Sequence, residues 1–97
     1  MILIFGSSGH TRVVIDIVEK KSQHNIYGLI DVDKNSEKEL MGYKIVGTEK
    51  DLKELISKQN ISGGIIGIGD NWLRKTVRDK ILDNFPDFNF LSCIHPK

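Results

Sequence analysis

The sequence predicts an α/β domain in which a parallel sheet of about four to five strands is flanked by helices. Two observations carry this prediction. Short apolar runs bounded by glycines or acids alternate along the 97 residues with segments of helical periodicity, an order typical of strand–helix–strand units. The first run, residues 1–5, is apolar without interruption, which indicates a strand buried on both faces, as in a parallel sheet. The length suits one small domain.

The N-terminal part is predicted to contain a strand, a helix and a second strand. The run at residues 1–5 ends at Gly6, and from Thr11 onwards the apolar spacing is helical. The second strand is expected at residues 25–31, which end in an acid, and residues 33–40 are expected to form a charged loop. The predicted stripe of the helix comprises Val14, Ile17, Val18 and Lys21, with Val13 beside it.

The middle of the chain repeats this alternation with a short strand and a helix. The strand is expected at residues 42–47, between two glycines. Thr48 and Asp51 resemble a capping box, in which the hydroxyl accepts a hydrogen bond from an early amide of the helix. The apolar face of this helix is expected to consist of Leu52, Leu55 and Ile56.

The C-terminal part is predicted to contain a strand, a helix and a final strand. Residues 63–69 are expected to form the third main strand, and their glycines make its ends hard to place. Asp70 or Asn71 is suited to cap the next helix, Pro86 marks the loop after it, and residues 88–94 predict the last strand. The apolar face of the helix is expected to consist of Leu73, Val77 and Ile81.

Composition excludes several functional classes. A net charge of +1 gives no electrostatic footprint for nucleic acid or an acidic membrane, and no apolar stretch approaches membrane-spanning length. The single cysteine, Cys93, excludes an intrachain disulfide and a cysteine-rich zinc site, and we interpret it as a core residue. No histidine cluster has metal-ligand spacing, and the N-terminus does not resemble a secretory signal. We therefore expect a cytoplasmic protein without a metal, nucleic-acid or membrane partner.

The polar chemistry of the sequence concentrates where two strands end. In an open parallel sheet, ligands bind beyond the carboxyl ends of the strands, at the point where the strand order reverses. If the first strand is central, the turns at residues 6–10 and 67–71 meet there, and residues 31–34 flank them. The sequence therefore predicts one site at this edge.

The turn Gly6-Ser7-Ser8-Gly9-His10 has the features of an anion site at a helix N-terminus. Gly6 allows a sharp turn, Gly9 allows the backbone to approach a ligand, and Ser7 and Ser8 offer hydroxyls. His10 is suited to pair with a phosphate or to donate one hydrogen bond. The alternatives are a tight turn without a ligand and a solvated histidine. The dinucleotide fingerprint is incomplete, because position 11 is not glycine.

Other polar residues near this edge have both a structural and a functional interpretation. Asp31 ends the second strand, where an acid binds ribose in dinucleotide folds, but it is equally an ordinary polar strand end. Asp70 and Asn71 are most simply helix caps, with a ligand contact as an additional role. Arg74 is most simply a surface charge, and the alternatives are a contact to a phosphate or a pair with Asp70. Trp72 could stack on a base or lie at an interface, but we expect a core position at the helix start. No complete catalytic constellation is present.

Four short motifs in this order resemble one known family. They are IFGSSGH at residues 4–10, LID at residues 29–31, IGIGDN at residues 66–71 followed by Arg74, and IHP at residues 94–96. Together they are similar to the N-terminal domain of bacterial nucleotide-sugar acyltransferases of the PglD and sialic-acid O-acetyltransferase (NeuD) type. The similarity extends over essentially the whole chain.

The resemblance implies a small Rossmann-like domain at residues 1–94 that binds the nucleotide of a UDP-linked, or GDP-linked, amino sugar. Residues 95–97 would begin the junction to a left-handed β-helix, which in this family trimerises, binds acetyl-CoA and supplies the catalytic histidine. We therefore expect the full-length parent to be a homotrimeric, acetyl-CoA-dependent sugar N-acetyltransferase or O-acetyltransferase of bacterial glycan biosynthesis. The 97 residues themselves would hold no cofactor and no catalytic residue, and would be inactive alone.

The resemblance also implies a set of substrate-binding residues. The first turn would lie against the phosphates, with His10 reaching a phosphate or the sugar, and Asp31 would contact the nucleoside. Where family members often have a second acid, this chain has Val32, and Asp33 follows. The alternative functions are a stand-alone nucleotide-binding module without catalysis and a small NAD-binding domain. The predicted site comprises Gly6, Ser7, Ser8, Gly9, His10, Asp31, Gly69, Asp70 and Asn71.

Overall fold

A computed structural model describes residues 1–6, 9–22, 24–31 and 39–91, with Asp31 described by its backbone only. In these ranges the chain forms five strands and three α-helices. A single 3₁₀ turn, Glu49–Asp51, precedes the second helix. The elements are β1 (Ile2–Phe5), α1 (Gly9–Lys21), β2 (Ile26–Asp31), β3 (Glu39–Leu40), β4 (Tyr43–Thr48), α2 (Leu52–Lys58), β5 (Gly63–Ile66) and α3 (Asn71–Asn84).

The strands form one sheet in the order β3-β4-β2-β1-β5. β1 pairs in parallel with both β2 and β5, β2 pairs in parallel with β4, and β3 pairs with β4 antiparallel. The chain therefore builds outwards from β1 on one side and then returns to its other side with β5. The prediction of a mainly parallel α/β sheet flanked by helices is confirmed. β1 has a neighbour on each side, and the strand order reverses there.

Helices cover both faces of the sheet, and β1 contributes to both cores. Ile2 and Ile4 pack with the buried side of α1, whereas Leu3 and Phe5 pack with α2 and α3. All four side chains are fully buried, because successive residues of a strand point to opposite faces and each face is covered by a helix. This explains the uninterrupted apolar run at the start of the sequence.

The buried face of α1 differs in part from the predicted stripe. Val13 is 47% exposed, Lys21 is exposed and Ile17 is only half-buried, whereas Ile15 is fully buried. The buried face begins at a polar residue, Thr11, so apolar spacing alone predicted the wrong set of buried positions. The buried positions of α1 are Thr11, Val14, Ile15 and Val18, at spacings of three, one and three.

The predicted charged loop at residues 33–40 is wrong at its end. Glu39 and Leu40 form β3, which pairs with Lys44 and Tyr43, and Leu40 is buried. The two residues between the strands both have positive φ, which is typical of a tight hairpin turn. Residues 32–38 lie outside the described part of the chain.

The capping box predicted before α2 is present. The backbone amide of Thr48 donates to the Asp51 carboxylate at 2.9 Å, and the Thr48 hydroxyl accepts from the amide of Lys50. Leu52 and Leu55 are buried and Ile56 is half-buried, so the predicted apolar face is correct. The capping box opens the 3₁₀ turn that leads into α2.

β5 is shorter than predicted, and the last predicted strand is reduced to one bridge in the described residues. β5 ends at Ile66, and Phe90 bridges Gly64 in parallel. A Cβ atom on Gly63 would lie 2.3 Å from the carbonyl oxygen of Asn89, so this close approach requires glycine. Residues 92–94 of the predicted strand lie outside the described residues.

None of the described helices is long and apolar enough to cross a membrane. The described residues likewise contain no cluster of three or more histidine, cysteine or acidic side chains that could hold a metal ion.

Candidate functional site

The carboxyl ends of β1, β2 and β5 lie level with one another. Phe5 lies beside Ile30 on one side and beside Ile66 on the other. The chain therefore leaves the sheet at the same edge in all three cases, at Gly6 after β1, after Asp31 at the end of β2, and at Gly67 after β5. This is the edge at which the sequence predicted a site. The backbone of Asp31 pairs with Thr48 of β4, so Asp31 ends β2 as predicted.

Gly6 begins the first turn of the site and cannot be replaced without strain. Its φ is +123°, which L side chains rarely adopt, and its amide donates to the Ile30 carbonyl at 2.9 Å. A Cβ atom here would lie 2.9 Å from the Thr11 hydroxyl and 3.1 Å from the Gly67 carbonyl oxygen. Gly6 therefore has the backbone conformation that a sharp turn after β1 requires, and atoms of the β5 loop and of α1 lie close to it. Ser7 and Ser8 lie outside the described residues.

Gly9 opens α1 in a different environment. Among the residues that the structure describes, none has an atom within 4 Å of where a Cβ on Gly9 would lie, so open space borders the backbone on this side. The first turn of α1 contains no acid, while Lys20 and Lys21 lie in its last turn. This charge distribution leaves the positive end of the helix dipole unopposed within the helix, which favours an anion there.

His10 lies where the loop after β1 and the loop after β5 approach each other. Its side chain is exposed, and a Cβ atom on Gly69 would lie 3.4 Å from Cγ and 3.6 Å from Nδ1 of the imidazole. The ring therefore lies against the backbone of the loop that follows β5. Of the predicted site residues, these two are brought into direct proximity.

Thr11 lies at this edge, although apolar spacing predicted no role for it beyond the start of α1. It is fully buried, and its hydroxyl donates to the carbonyl oxygen of Gly67 at 2.7 Å. One signal in the sequence could have revealed it. Thr11 is a polar residue that directly follows a glycine-rich turn, and it lies three positions before Val14, on the apolar face of the helix.

Asp70 and Asn71 carry out structural tasks at the start of α3. The Asp70 carboxylate accepts a hydrogen bond from the amide of Leu73 at 2.8 Å, which makes Asp70 the N-cap. The side-chain oxygen of Asn71 accepts from the guanidinium of Arg74. The capping interpretation is therefore correct for Asp70. Both side chains remain exposed at the same edge as His10 and Gly69.

Trp72 lies on the surface, so the expectation of a core position is wrong. Its side chain is 76% exposed, and Leu73 is 38% exposed. The buried face of α3 is defined by Val77 and Ile81, and a residue five positions before Val77 lies on the far side of the helix. The interpretations of Trp72 as a stacking or interface residue stay open.

The one described group whose pKa is clearly shifted lies away from this edge. The Tyr43 hydroxyl donates to the Glu19 carboxylate at 2.8 Å, and this hydrogen bond, together with partial burial and the nearby negative charge, raises the pKa of Tyr43 above its usual value. Tyr43 begins β4 and Glu19 lies near the end of α1, so the pair sits towards the opposite end of the sheet.

Comparison with known proteins agrees with this architecture. The sequence profile of the PglD N-terminal domain matches residues 1–81. A variant of perosamine N-acetyltransferase from Caulobacter crescentus, solved with CoA and GDP-perosamine, superposes with a TM-score of 0.81 at 29% identity. PerB from the same organism, solved with the same two ligands, gives a TM-score of 0.78 at 29% identity. Each comparison covers 98% of this chain and 42% of the other.

A more distant neighbour shares the fold. The acetyltransferase domain of PglB from Neisseria gonorrhoeae, solved with acetyl coenzyme A, has a TM-score of 0.73 at 19% identity, over 98% of this chain and 43% of that domain. A search of the curated proteins gave no match. The chain therefore spans less than half the length of the solved structures that it resembles.

The resemblance inferred from the four motifs is confirmed, and so is the Rossmann-like α/β fold. The profile extends over most of the chain, from β1 into α3, and includes both loops that meet at His10 and Gly69. The chain belongs to the PglD N-terminal domain family.

Proposed function

We propose that this domain binds a nucleotide-linked amino sugar at the edge formed by residues 6–10, Asp31 and residues 69–71, as the substrate-binding part of an acetyl-CoA-dependent sugar N-acetyltransferase or O-acetyltransferase. The observation that carries the proposal is the approach of the His10 ring to Gly69 at the point where the strand order reverses. Open α/β sheets bind ligands at such points.

The start of α1 is suited to the diphosphate. Gly9 borders open space, the first turn contains no acid, and free amides at a helix N-terminus favour a phosphate. The exposed His10 would add a charge-assisted hydrogen bond as a cation, or an ordinary one as a neutral donor. The hydroxyls of Ser7 and Ser8 belong to the same proposed contact.

The nucleoside is proposed to lie towards Asp31. The backbone of Asp31 ends β2 directly beside the point where Gly6 leaves β1, so this end of β2 borders the start of the proposed site. Perosamine N-acetyltransferase and PerB were both solved with GDP-perosamine, which supports testing guanosine alongside the uridine that the family resemblance implies. Asp70 and Asn71 would close the site from the β5 side.

The acetyl-transfer reaction is proposed for a longer protein of which this domain is one part. Neighbours that contain CoA or acetyl coenzyme A are more than twice as long as this chain, which supports acetyl-CoA as the acyl donor of the parent. The homotrimer expected from the family belongs to the same proposal. The domain itself would bind the sugar nucleotide and would supply no catalytic group.

Isothermal titration of the 97-residue domain tests the binding proposal. The ligands are GDP, UDP, a GDP-linked and a UDP-linked amino sugar, and NAD. We expect saturable binding of at least one sugar nucleotide, with the base preference given by the two series. Tight binding of NAD that GDP and UDP do not displace would favour the dinucleotide interpretation instead. The absence of binding by every ligand at millimolar concentration would refute the proposed site.

A further inference from the structure

The side chain of Thr11 is fully buried and polar, which is unusual among the residues that the structure describes. Its hydroxyl donates to the Gly67 carbonyl oxygen at 2.7 Å and so connects two positions 56 residues apart. A buried hydroxyl is costly unless it is hydrogen-bonded, so this contact satisfies two polar groups at once. It joins the first turn of α1 to the loop that follows β5.

The backbone around Thr11 leaves little space for further side chains. A Cβ atom on Gly6 would lie 2.9 Å from the Thr11 hydroxyl, and one on Gly67 would lie 3.3 Å from both Cα and Cγ2 of Thr11. Thr11 is therefore enclosed between two glycines, one from each loop of the proposed site. Gly67 is further fixed by its own amide, which donates to the Phe5 carbonyl at 2.8 Å.

His10 directly precedes Thr11, and Gly69 lies two residues after Gly67. The hydrogen bond thus stands next to the place where the imidazole meets the opposite loop. We infer that Thr11 is a positioning residue of the proposed sugar-nucleotide site: its hydroxyl holds the α1 and β5 loops together and so fixes the His10 ring against Gly69. This inference rests on the proposed function only where it concerns ligand affinity.

The hydroxyl rather than the methyl group carries this role. Valine has nearly the shape of threonine but cannot donate a hydrogen bond, so Thr11→Val would leave the Gly67 carbonyl without this partner in a buried place. Serine keeps the donor and loses only the methyl group. The two substitutions therefore separate the hydrogen bond from the packing around it.

The test compares Thr11→Val and Thr11→Ser with a matched control, Thr76→Val. Thr76 also donates its hydroxyl to a carbonyl, that of Trp72 at 2.9 Å, but within α3 and on the exposed surface. For each protein, NMR chemical shifts of the His10 imidazole and of the amides at residues 67–70 are recorded without ligand. Affinity for the best sugar nucleotide and the thermal unfolding midpoint are then measured.

We expect Thr11→Val to shift the His10 and 67–70 resonances in the free protein and to weaken sugar-nucleotide binding by about tenfold. Thr11→Ser should restore both, and Thr76→Val should change neither. Unaltered His10 shifts in a folded Thr11→Val protein would overturn the inference, as would a Thr11→Ser protein that matches Thr11→Val. If the wild-type domain binds no sugar nucleotide, the proposed function fails, and the shifts in the free protein still decide whether Thr11 positions His10.

Discussion

Two glycine-rich regions of this domain differ in what occupies the space beside their glycines. At the start of β5, the space beside Gly63 and Gly64 is filled by the chain itself, because Asn89 and the rings of Phe5 and Phe88 lie where Cβ atoms would be. At the start of α1, Gly9 borders open space. A glycine thus allows either close packing or close approach of a ligand, and the atoms opposite it decide which.

The space beside Gly64, in β5, is occupied by aromatic rings. Phe88 lies edge-on to Phe5 with ring centroids 5.7 Å apart, and Phe90 completes the group at 4.9 Å from Phe88. Aromatic rings in such arrangements bury large areas and favour edge-to-face contacts. The missing side chains of β5 therefore admit an aromatic cluster into the core, and the glycines there do not indicate a ligand.

The largest expected effect comes from adding a methyl group to the filled region. Gly63→Ala would place Cβ 2.3 Å from the Asn89 carbonyl oxygen, which is backbone and has little freedom to move. We expect the free energy of unfolding to fall by about 3 kcal/mol, as in overpacked cores. Urea denaturation measures this loss. A change below about 0.5 kcal/mol would show that the segment at residues 88–91 is not held as described.

The second expected effect is on binding at the open region. His10→Ala removes the proposed partner of the phosphate, and we expect the affinity for a sugar nucleotide to fall by about 2 kcal/mol, roughly thirtyfold. His24→Ala is the control, since His24 is an exposed histidine between α1 and β2. Titration calorimetry measures both. Equal affinities of the two variants would make His10 a solvated residue.

Gly9, at the open region, allows the same substitution as Gly63 to be made without an occupied space beside it. Gly9→Ala adds the same methyl group where no described atom lies within 4 Å, so the free energy of unfolding should change by less than about 0.5 kcal/mol. If a ligand occupies that space, its affinity should fall by about tenfold, or 1.4 kcal/mol. Unchanged affinity would mean that the backbone at Gly9 does not border the ligand.

The smallest expected effect concerns Asp70, which lies beside the open region but has a structural task. Asp70→Ala removes the N-cap of α3 and should reduce the free energy of unfolding by about 1 kcal/mol. Asp70→Asn keeps a capping oxygen and should restore most of it. Sugar-nucleotide affinity of Asp70→Asn, measured in parallel, separates capping from ligand contact. An affinity equal to that of the wild type would remove Asp70 from the binding set.

The elements that could be predicted are those whose signals are local. The uninterrupted run of β1, the capping box of Thr48 and Asp51, and the N-cap at Asp70 each depend on neighbours within a few residues. The meeting of two loops at one edge could be predicted because parallel α/β sheets follow a general rule. Their positions needed no long-range information.

The features that could not be predicted depend on distant partners. Leu40 is buried because it packs in the core cluster with residues of β1 and α1, although its surroundings in the sequence are charged. Trp72 is exposed because the phase of α3 is set by contact of Val77 and Ile81 with the sheet. Thr11 is buried because of Gly67, 56 residues away. Apolar periodicity does not register such pairings.

The bridge between Gly64 and Phe90 also protects an edge of the sheet. The amide of Gly64 donates to Asn89 at 3.0 Å, and its carbonyl accepts from Leu91 at 2.8 Å, so these two backbone groups of the outer strand are already paired. An uncovered edge strand is a template for pairing with another molecule, and the apolar Gly63–Ile66 segment would be a strong one. The residues that fill the glycine space therefore also guard the domain against edge-to-edge aggregation.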